Sequence, residues 1–425
     1  MPCTSKLLER LVQSQLLRFL QENNILSSVQ SGFRAKHSTV TALVKVLDDW
    51  MLAMDEGKYT GAIFIDLKKA FDTIDHRVLL KKLFAIGVRG LTLKWFENYL
   101  VNRRIVTKVN NSLSEEKYLT HGVPQGSILG PLLFCVFIND LPDIFKLCQV
   151  HLYADDTVIY FSDKNPNVVE SALNTDMEVL DKWMSENKLL INYTKTVSML
   201  IGTRNILAKH NTLNVQVRNM ILQKVETTKY LGLHIDKELK WDIHINNMCQ
   251  KISKLVGFLG RLRHVVNESS LNLIYKSVII PHFDYGDVVW QSAPKSFLSP
   301  LQKLQNRAGR IIMKINPFSH VSNQHIHDTL GWDFLDCRYN KHLCTMIYKS
   351  LHNLTPNYMS DNISRRTSNY TLRSNQNLYL PKPKSNHCKR TFFYRGISIY
   401  NQLPNEIRSA TSIRSFKLLL NQYYK

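Results

Sequence analysis

Apolar positions recur at two periods along the chain, and the switch between them marks its organisation. Leu7, Leu8, Leu11, Leu16, Leu17 and Leu20 fall at near-helical spacing and predict an amphipathic helix over Ser5–Leu20. QSGFRAKHS (30–38) reads as a loop or short strand, followed by a helix over Thr41–Asp55 closed by Gly57. TGAIFIDL (60–67) is a short apolar run rich in β-formers that ends on an acid, which predicts a buried strand. His76–Ile86 has a helical pattern, with Asp75 as N-cap and Gly87 just past the end. HGVPQGS (121–127) is a breaker-rich loop before an apolar helix over Pro131–Phe145. HLYADDTVIYF (151–161) alternates as strand, tight turn and strand. Residues 166–190 predict a helix, VSMLI (197–201) a strand, and KYLGLHI (229–235) a strand or the first arm of a hairpin.

From Ile243 onward the period becomes helical, with helices expected over 243–265, 268–280, 297–315 and 336–353. Residues 355–390, rich in Asn, Ser, Pro and Lys, read as loop, and a last helix spans Thr411–Tyr424. The order is an α/β half followed by an α half.

Composition sharpens that division. With 425 residues, 44% hydrophobic and 21% charged, the chain is of ordinary globular type and long enough for two or three domains. Its longest apolar run, Ile128–Ile138, contains Gly130 and Pro131 and falls well short of the roughly 20 residues a membrane span needs. No secretory h-region opens the chain, and the seven cysteines show no CxxC spacing, so an intracellular, reduced protein without membrane association is expected, in nucleus or cytoplasm. The net charge of +21 is uneven: residues 1–250 carry 30 basic and 26 acidic residues, and residues 251–425 carry 25 and 8. A basic half of that kind attracts polyanions, nucleic acid first and acidic membrane surfaces second.

Two acidic sites stand at strand ends, Asp66 and the pair Asp155–Asp156. Carboxylates on adjacent strand ends can share two Mg²⁺ ions about 4 Å apart. Taken alone, an Asp-Asp pair is more often a turn than a metal site, and a lone Asp after a strand more often a helix cap.

Ordered context decides between these readings. FIDLKKAFDTIDH (64–76), GVPQGSILGPLLF (122–134), LYADD (152–156), NYTKT (192–196) and KYLGLHID (229–236) follow one another in the order and spacing of reverse transcriptase palm motifs. They resemble most the non-LTR (LINE) retrotransposon enzymes, particularly the jockey-like group. QSGFRAKHSTVTAL (30–43) resembles the fingers-to-palm motif, while LQKLQNRAGRII (301–312) and residues 395–420 resemble the region after the polymerase in such elements.

The resemblance implies a right-hand polymerase: an α/β palm with a mixed antiparallel sheet and partial fingers over 1–240, an α-helical thumb over 241–330, and a basic C-terminal region over 331–425. It implies RNA-directed DNA synthesis from dNTPs on an RNA template and a DNA primer. Asp66, Asp155 and Asp156 become ligands of two Mg²⁺ ions, with the Leu67 carbonyl completing the coordination. Phe71 matches the steric gate that excludes a 2′-hydroxyl. Gln125 and Gly126 match the loop beneath the incoming nucleotide, where glycine permits close backbone approach. Arg34 matches the triphosphate-binding arginine, whose planar fork suits phosphate. Lys195 matches a lysine that protonates pyrophosphate, and Tyr230, Leu231 and Gly232 match the primer grip.

In the basic half, Lys251, Lys254, Arg261, Arg263, Lys303, Arg307 and Arg310 are expected to track duplex phosphates. KPKSNHCKRTFFYR (382–395) interleaves cations with rings and suits unpaired RNA, where bases stack on aromatics. Only 29 residues precede Gln30. An N-terminally truncated copy is therefore expected, with the nicking endonuclease supplied from elsewhere. The alternative is a catalytically inactive nucleic-acid-binding remnant.

Overall fold

The computed structural model describes residues 3–101, 103–218, 220–316, 319–365 and 377–424. They pack as two compact units: Met1–Ser38, Tyr59–Leu200 and Asn205–Glu226 form the first, and Thr39–Lys58, Ile201–Arg204 and Thr227–Lys425 the second.

The first unit is built on a five-stranded mixed sheet. Its strands are β1 (Tyr59–Ile65), β6 (Gln149–Tyr153), β7 (Asp156–Asp163), β8 (Val197–Ile201) and the short strand Gln223–Lys224, in the order 223–224, β8, β1, β7, β6. Every residue of β1 is buried, the mark of a central strand covered on both faces. Helix α6 (Pro166–Glu186) lies so close to β1 that a Cβ on Gly61 would stand 2.5 Å from Leu173 and 2.6 Å from Val169. Asp176 of α6, 1% exposed, accepts from the Leu147 (3.0 Å) and Cys148 (2.7 Å) amides, tying the helix to the chain entering β6.

Helices α1 (Cys3–Glu22), α3 (His76–Ala85), α4 (Gly90–Leu100) and the wholly apolar α5 (Gly130–Phe137) complete this unit. Asp75 caps α3 by accepting from the Arg77 and Val78 amides, as its position predicted. The helix expected over 131–145 breaks after Phe137. Asn139 turns its side chain to Ser27 and Ile25, and Pro142 has no N–H to continue the ladder, so a short 3₁₀ turn over Leu141–Ile144 follows. Helix α4 and an exposed ribbon (β2, Arg103–Ile105; β3, Lys108–Val109; β4, Ser112–Leu113; β5, Lys117–Leu119) occupy a stretch whose pattern predicts no element.

The second unit is mostly helical, with principal helices Asp242–Leu262, Lys295–Ile312, Leu335–Leu351, Phe392–Gln402 and Ile413–Tyr423. Helix α2 (Thr39–Asp55) belongs to it as well. Two carboxylates of α2 hold the C-terminal segment: Asp55 accepts from the Lys384 (3.0 Å) and Ser385 (2.6 Å) amides, and Asp48, two turns earlier, from the Phe392 (2.8 Å) and Phe393 (3.2 Å) amides. These amides include unpaired donors at helix starts, for which a buried carboxylate is a fitting acceptor.

This docking overturns the stacking platform expected over 382–395. Phe392 and Phe393 are buried core residues, Arg390 donates to the Leu239 carbonyl, and Arg395 is half-buried beside Asp48. The expected loop over 355–390 is interrupted by helices Asn357–Ser360 and Asn386–Arg390, and its residues 366–376 lie outside the described residues.

Burial lifts the Asp48 carboxyl from 3.8 to about 7 against the two amides and Arg395, which favour its ionised form. The folded chain therefore holds a proton that the unfolded chain releases at lower pH. Stability from this group is greatest in acid and falls as pH rises from about 4 to about 7. Urea titrations between pH 5 and 8 are expected to show that slope in the wild type and a flatter one in Asp48→Asn. Equal slopes would mean that Asp48 ionises normally.

Candidate active site

Register brings the acids together. In the antiparallel β1–β7 pair Ile65 faces Thr157, so the next step along both strands sets Asp66 opposite Asp156. Directly opposed residues on neighbouring strands have Cβ atoms about 5 Å apart, where like charges repel. Asp155 sits beside them in the β6–β7 turn, closed by the pairing of Tyr153 with Asp156. Ala154 enters that turn with φ of +56°, a left-handed conformation uncommon for a residue bearing a Cβ.

Asp66 is held on three sides. Its amide donates to Thr196 Oγ1 (3.2 Å), its carbonyl accepts from the Asn192 amide (2.8 Å), and its carboxylate accepts from Asn192 Nδ2 (2.8 Å). Leu67 bridges to Ile191. The NYTKT segment thus wraps the Asp66 backbone, while Lys195 within it is exposed.

Electrostatics bear out the crowding. The Asp156 carboxyl is pushed from 3.8 up to about 6, first by the protein that displaces water around it and then by Asp155 and Asp66. Its outer side remains exposed. Asp155 is raised too, by desolvation first and then by Asp66. Three mutually repelling hard oxygen donors, with no cation of the protein hydrogen-bonded or ion-paired to Asp155 or Asp156 among the described residues, fit a divalent cation of Mg²⁺ type. The tightest set of potential ligand atoms in the described chain lies elsewhere. Asp284, Asp287 and His342 fall within 4.8 Å of one another, but Arg338 holds both oxygens of Asp284 (2.5 and 2.6 Å), so an ion-pair network accounts for them.

The PQG loop is tied to the turn after β1. Gly122 N–H donates to the Ile74 carbonyl (2.8 Å), Val123 N–H to that of Phe71 (2.9 Å), and Gln125 Nε2 to Asp72 (3.0 Å). Gly122 at φ +84° approaches Asp72 so closely that a Cβ would lie 2.8 Å from its carbonyl oxygen, which requires glycine there. Gly126, at φ +78°, has open space above it. Phe71 is half-buried, its ring 4.6 Å from Phe134 and 6.5 Å edge-on from Phe33. Arg34 donates through Nη1 to the carbonyls of Ser27 and Gln30 (3.1 Å to the latter).

The remaining expected residues lie in the second unit. Tyr230, Leu231 and Gly232 form the tip of a hairpin, Thr227–Tyr230 with Leu233–Asp236. Leu231 (φ +43°) and Gly232 (φ +85°) make its tight turn, and Tyr285 Oη donates to the Leu231 carbonyl (2.7 Å). Two pockets share Arg307 of helix 295–312. One, of about 710 Å³, is lined by Arg263, Arg310 and His320; the other, of about 750 Å³, by Lys254 and Lys303. Arg310 is fixed there by donating to the Val321 carbonyl (2.6 Å).

Asn192 and Gln30 carry roles in this site that motif reading passed over. Both lie inside the quoted blocks, yet their partners, Asp66 and Ala154, are distant in sequence, and only the fold pairs them.

A central buried sheet that gathers carboxylates from a strand end and a hairpin turn defines a nucleic-acid polymerase palm. A family model described as reverse transcriptase (RNA-dependent DNA polymerase) matches residues 1–235, and the chain belongs to that family. It is 32% identical over 322 residues to the probable RNA-directed DNA polymerase from transposon BS of Drosophila melanogaster, covering 72% of this chain and 35% of that one. It is 26% identical over 352 residues to that from transposon X-element, covering 80% and 38%, and 29% identical over 322 residues to that from mobile element jockey, covering 73% and 35%, both also of Drosophila melanogaster. The chain thus spans little more than a third of these relatives' length, and the expected likeness to jockey-like elements is borne out. Among solved structures it is similar to telomerase from Candida albicans with a TWJ fragment of telomeric RNA (TM-score 0.41, 12% identity, 74% of this chain and 57% of that one). Apo telomerase from Candida tropicalis is similar to the same degree (0.41, 12%, 82% and 55%). The family uses divalent metal ions. Among the described residues no helix is long and apolar enough to cross a membrane.

Asp156→Asn removes one of three repelling charges and one candidate oxygen ligand. Its unfolding midpoint is expected to rise while Mn²⁺ binding, followed by calorimetry, weakens by about tenfold or more. In the wild type that binding should weaken as pH falls through about 6, because the metal competes with the Asp156 proton. Unchanged Mn²⁺ affinity in the variant would remove Asp156 from the ligand set.

Proposed function

We propose that the chain is an RNA-directed DNA polymerase of a mobile element, and that Asp66, Asp155 and Asp156, with the Leu67 carbonyl, would hold two Mg²⁺ ions. The observation that carries this reading is the β1–β7 register, which sets Asp66 opposite Asp156 and beside Asp155 within the palm of a reverse transcriptase family member. When bound, such ions supply Lewis-acid stabilisation of the charge that develops as a primer 3′-hydroxyl displaces pyrophosphate from the α-phosphate of a dNTP.

The chain's own residues then divide the work. Asn192 and Thr196 hold Asp66 in place. Gln125 and Gly126 form the floor of the nucleotide site. There the Gln125–Asp72 contact fixes the amide, and the open space over Gly126 admits a base pair. Phe71, braced by Phe134, is the wall against a 2′-hydroxyl. Arg34, its fork set by two backbone carbonyls, meets the triphosphate, and Lys195 returns a proton to the leaving pyrophosphate. Tyr230, Leu231 and Gly232 hold the primer end, and the groove with Arg307 and Arg310 follows the phosphates of an RNA template and DNA primer. An endonuclease outside these residues supplies the nick that primes synthesis.

Primer extension on poly(rA)·oligo(dT) with Mg²⁺ and dTTP tests the whole reading. Synthesis by the wild type that vanishes in Asp155→Asn/Asp156→Asn is the expected result. Salt-sensitive duplex binding by both, without extension by either, would instead identify a non-catalytic remnant. Phe71→Ala is expected to raise rNTP incorporation relative to dNTP by about tenfold or more, since the discrimination is steric; unchanged sugar selectivity would remove Phe71 from the gate.

A further inference from the structure

The turn that carries Asp155 and Asp156 is braced from behind by a segment far away in sequence. Leu152 N–H donates to the Val29 carbonyl (3.0 Å) and Ser31 N–H to the Leu152 carbonyl (2.8 Å), so Gln30 forms a one-residue parallel bridge to the end of β6. Ser31 Oγ and His151 Nε2, both buried, meet at 3.1 Å on the same seam. Gln30 is 1% exposed. Its Oε1 accepts from two amides at once, Gly32 N–H at 2.6 Å and Ala154 N–H at 3.0 Å. Both partners are donors, so the orientation of the carboxamide is fixed by them.

Three features converge on Ala154. Its left-handed backbone (φ +56°) is strained for a residue with a Cβ. The Gln30 oxygen is the acceptor for its amide. Gly32 lies so near that a Cβ there would stand 2.3 Å from the Ala154 nitrogen, a contact no side chain tolerates. Gln30 Nε2, meanwhile, is buried without a hydrogen-bond partner among the described residues. An apolar side chain of the same length would avoid that cost, so the residue's use at this position lies in its oxygen.

We propose that Gln30 is a positioning residue for the Asp155–Asp156 pair: by accepting the Ala154 amide it holds the left-handed turn that aims both carboxylates towards Asp66. This rests on the reading of the three acids as a divalent-ion centre. It gives the QSG block a role in the metal site that is separate from the one assigned to Arg34.

The test uses the full chain labelled with ¹⁵N-alanine. In Gln30→Met, hydrogen exchange at the Ala154 amide should accelerate by about tenfold or more while that at Ala62, in the centre of β1, stays as in the wild type. Mn²⁺ affinity should fall by about tenfold, and kcat for primer extension should fall with it, while KM for template–primer stays within about twofold. Adding Ala154→Gly, which adopts the left-handed backbone without strain, should restore a large part of both losses. Unchanged Ala154 exchange and unchanged Mn²⁺ affinity in Gln30→Met would overturn the proposal, as would the absence of any rescue by glycine. If Gln30→Met also loosens Ala62, then Gln30→Asn, whose oxygen falls one methylene short, must show the same local loss or the proposal fails. A wild-type chain that binds no Mn²⁺ would defeat the divalent-ion reading by itself, and the Gln30 proposal would then be decided by Ala154 exchange alone.

Discussion

The constraint on which the first unit turns is the crowding of three carboxylates at one end of its central sheet. Strand register leaves no alternative: once Ile65 pairs with Thr157, Asp66 and Asp156 face each other, and the turn adds Asp155. Desolvation first, and then repulsion from the neighbouring acids, raises the carboxyl pKa values of Asp155 and Asp156. Such an arrangement destabilises the fold that contains it, so the surroundings must over-determine it. They do so with the fully buried β1, with the Asn192 and Thr196 contacts to Asp66, and with the Gln30 carboxamide behind the turn.

The second unit uses buried charge differently. Asp48 and Asp55 of α2 meet unpaired amide donors rather than one another, and Asp287 meets His342 (2.5 Å) while Asp284 is held by Arg338. Here each buried carboxylate has a donor or cation beside it, the arrangement that lets an ionisable group stay in the interior. In the first unit Asp155 and Asp156 stand without a cation beside them among the described residues, unlike Asp284 and Asp287 of the second. That contrast separates carboxylates that fit a divalent cation from a network that closes a helical core.

Much of this was legible in the sequence, for identifiable reasons. β1, α3 and the β6–β7 hairpin announce themselves because their local patterns (an all-apolar run, an Asp N-cap with a following glycine, and alternation around Asp-Asp) coincide with what the core requires. The acids could be named because their motif blocks are contiguous. Gln30 and Asn192 could not, since their partners lie more than a hundred residues away and no local pattern encodes that pairing. The misreading of residues 382–395 has the same root. Cations interleaved with rings look like a surface for RNA until long-range docking on α2 buries Phe392 and Phe393 and half-buries Arg395. Helix α4 and the ribbon over 103–119 escaped because most of their residues are exposed, and exposure leaves little periodicity to read.

That misreading also changes what the basic half can do. A surplus of cations counted along a sequence suggests a field spread over the whole surface, yet several are committed inward: Arg338 to Asp284, Lys341 to Asp333, Arg390 to the Leu239 carbonyl, and Arg395 beside Asp48. A cation turned inward to a protein partner is less available to the phosphates of a polyanion. Among the others, Arg263, Arg307 and Arg310 border one pocket, and Lys254, Lys303 and Arg307 border a second. Cations grouped in this way suit phosphates rather than base edges, a form of contact that carries no sequence choice.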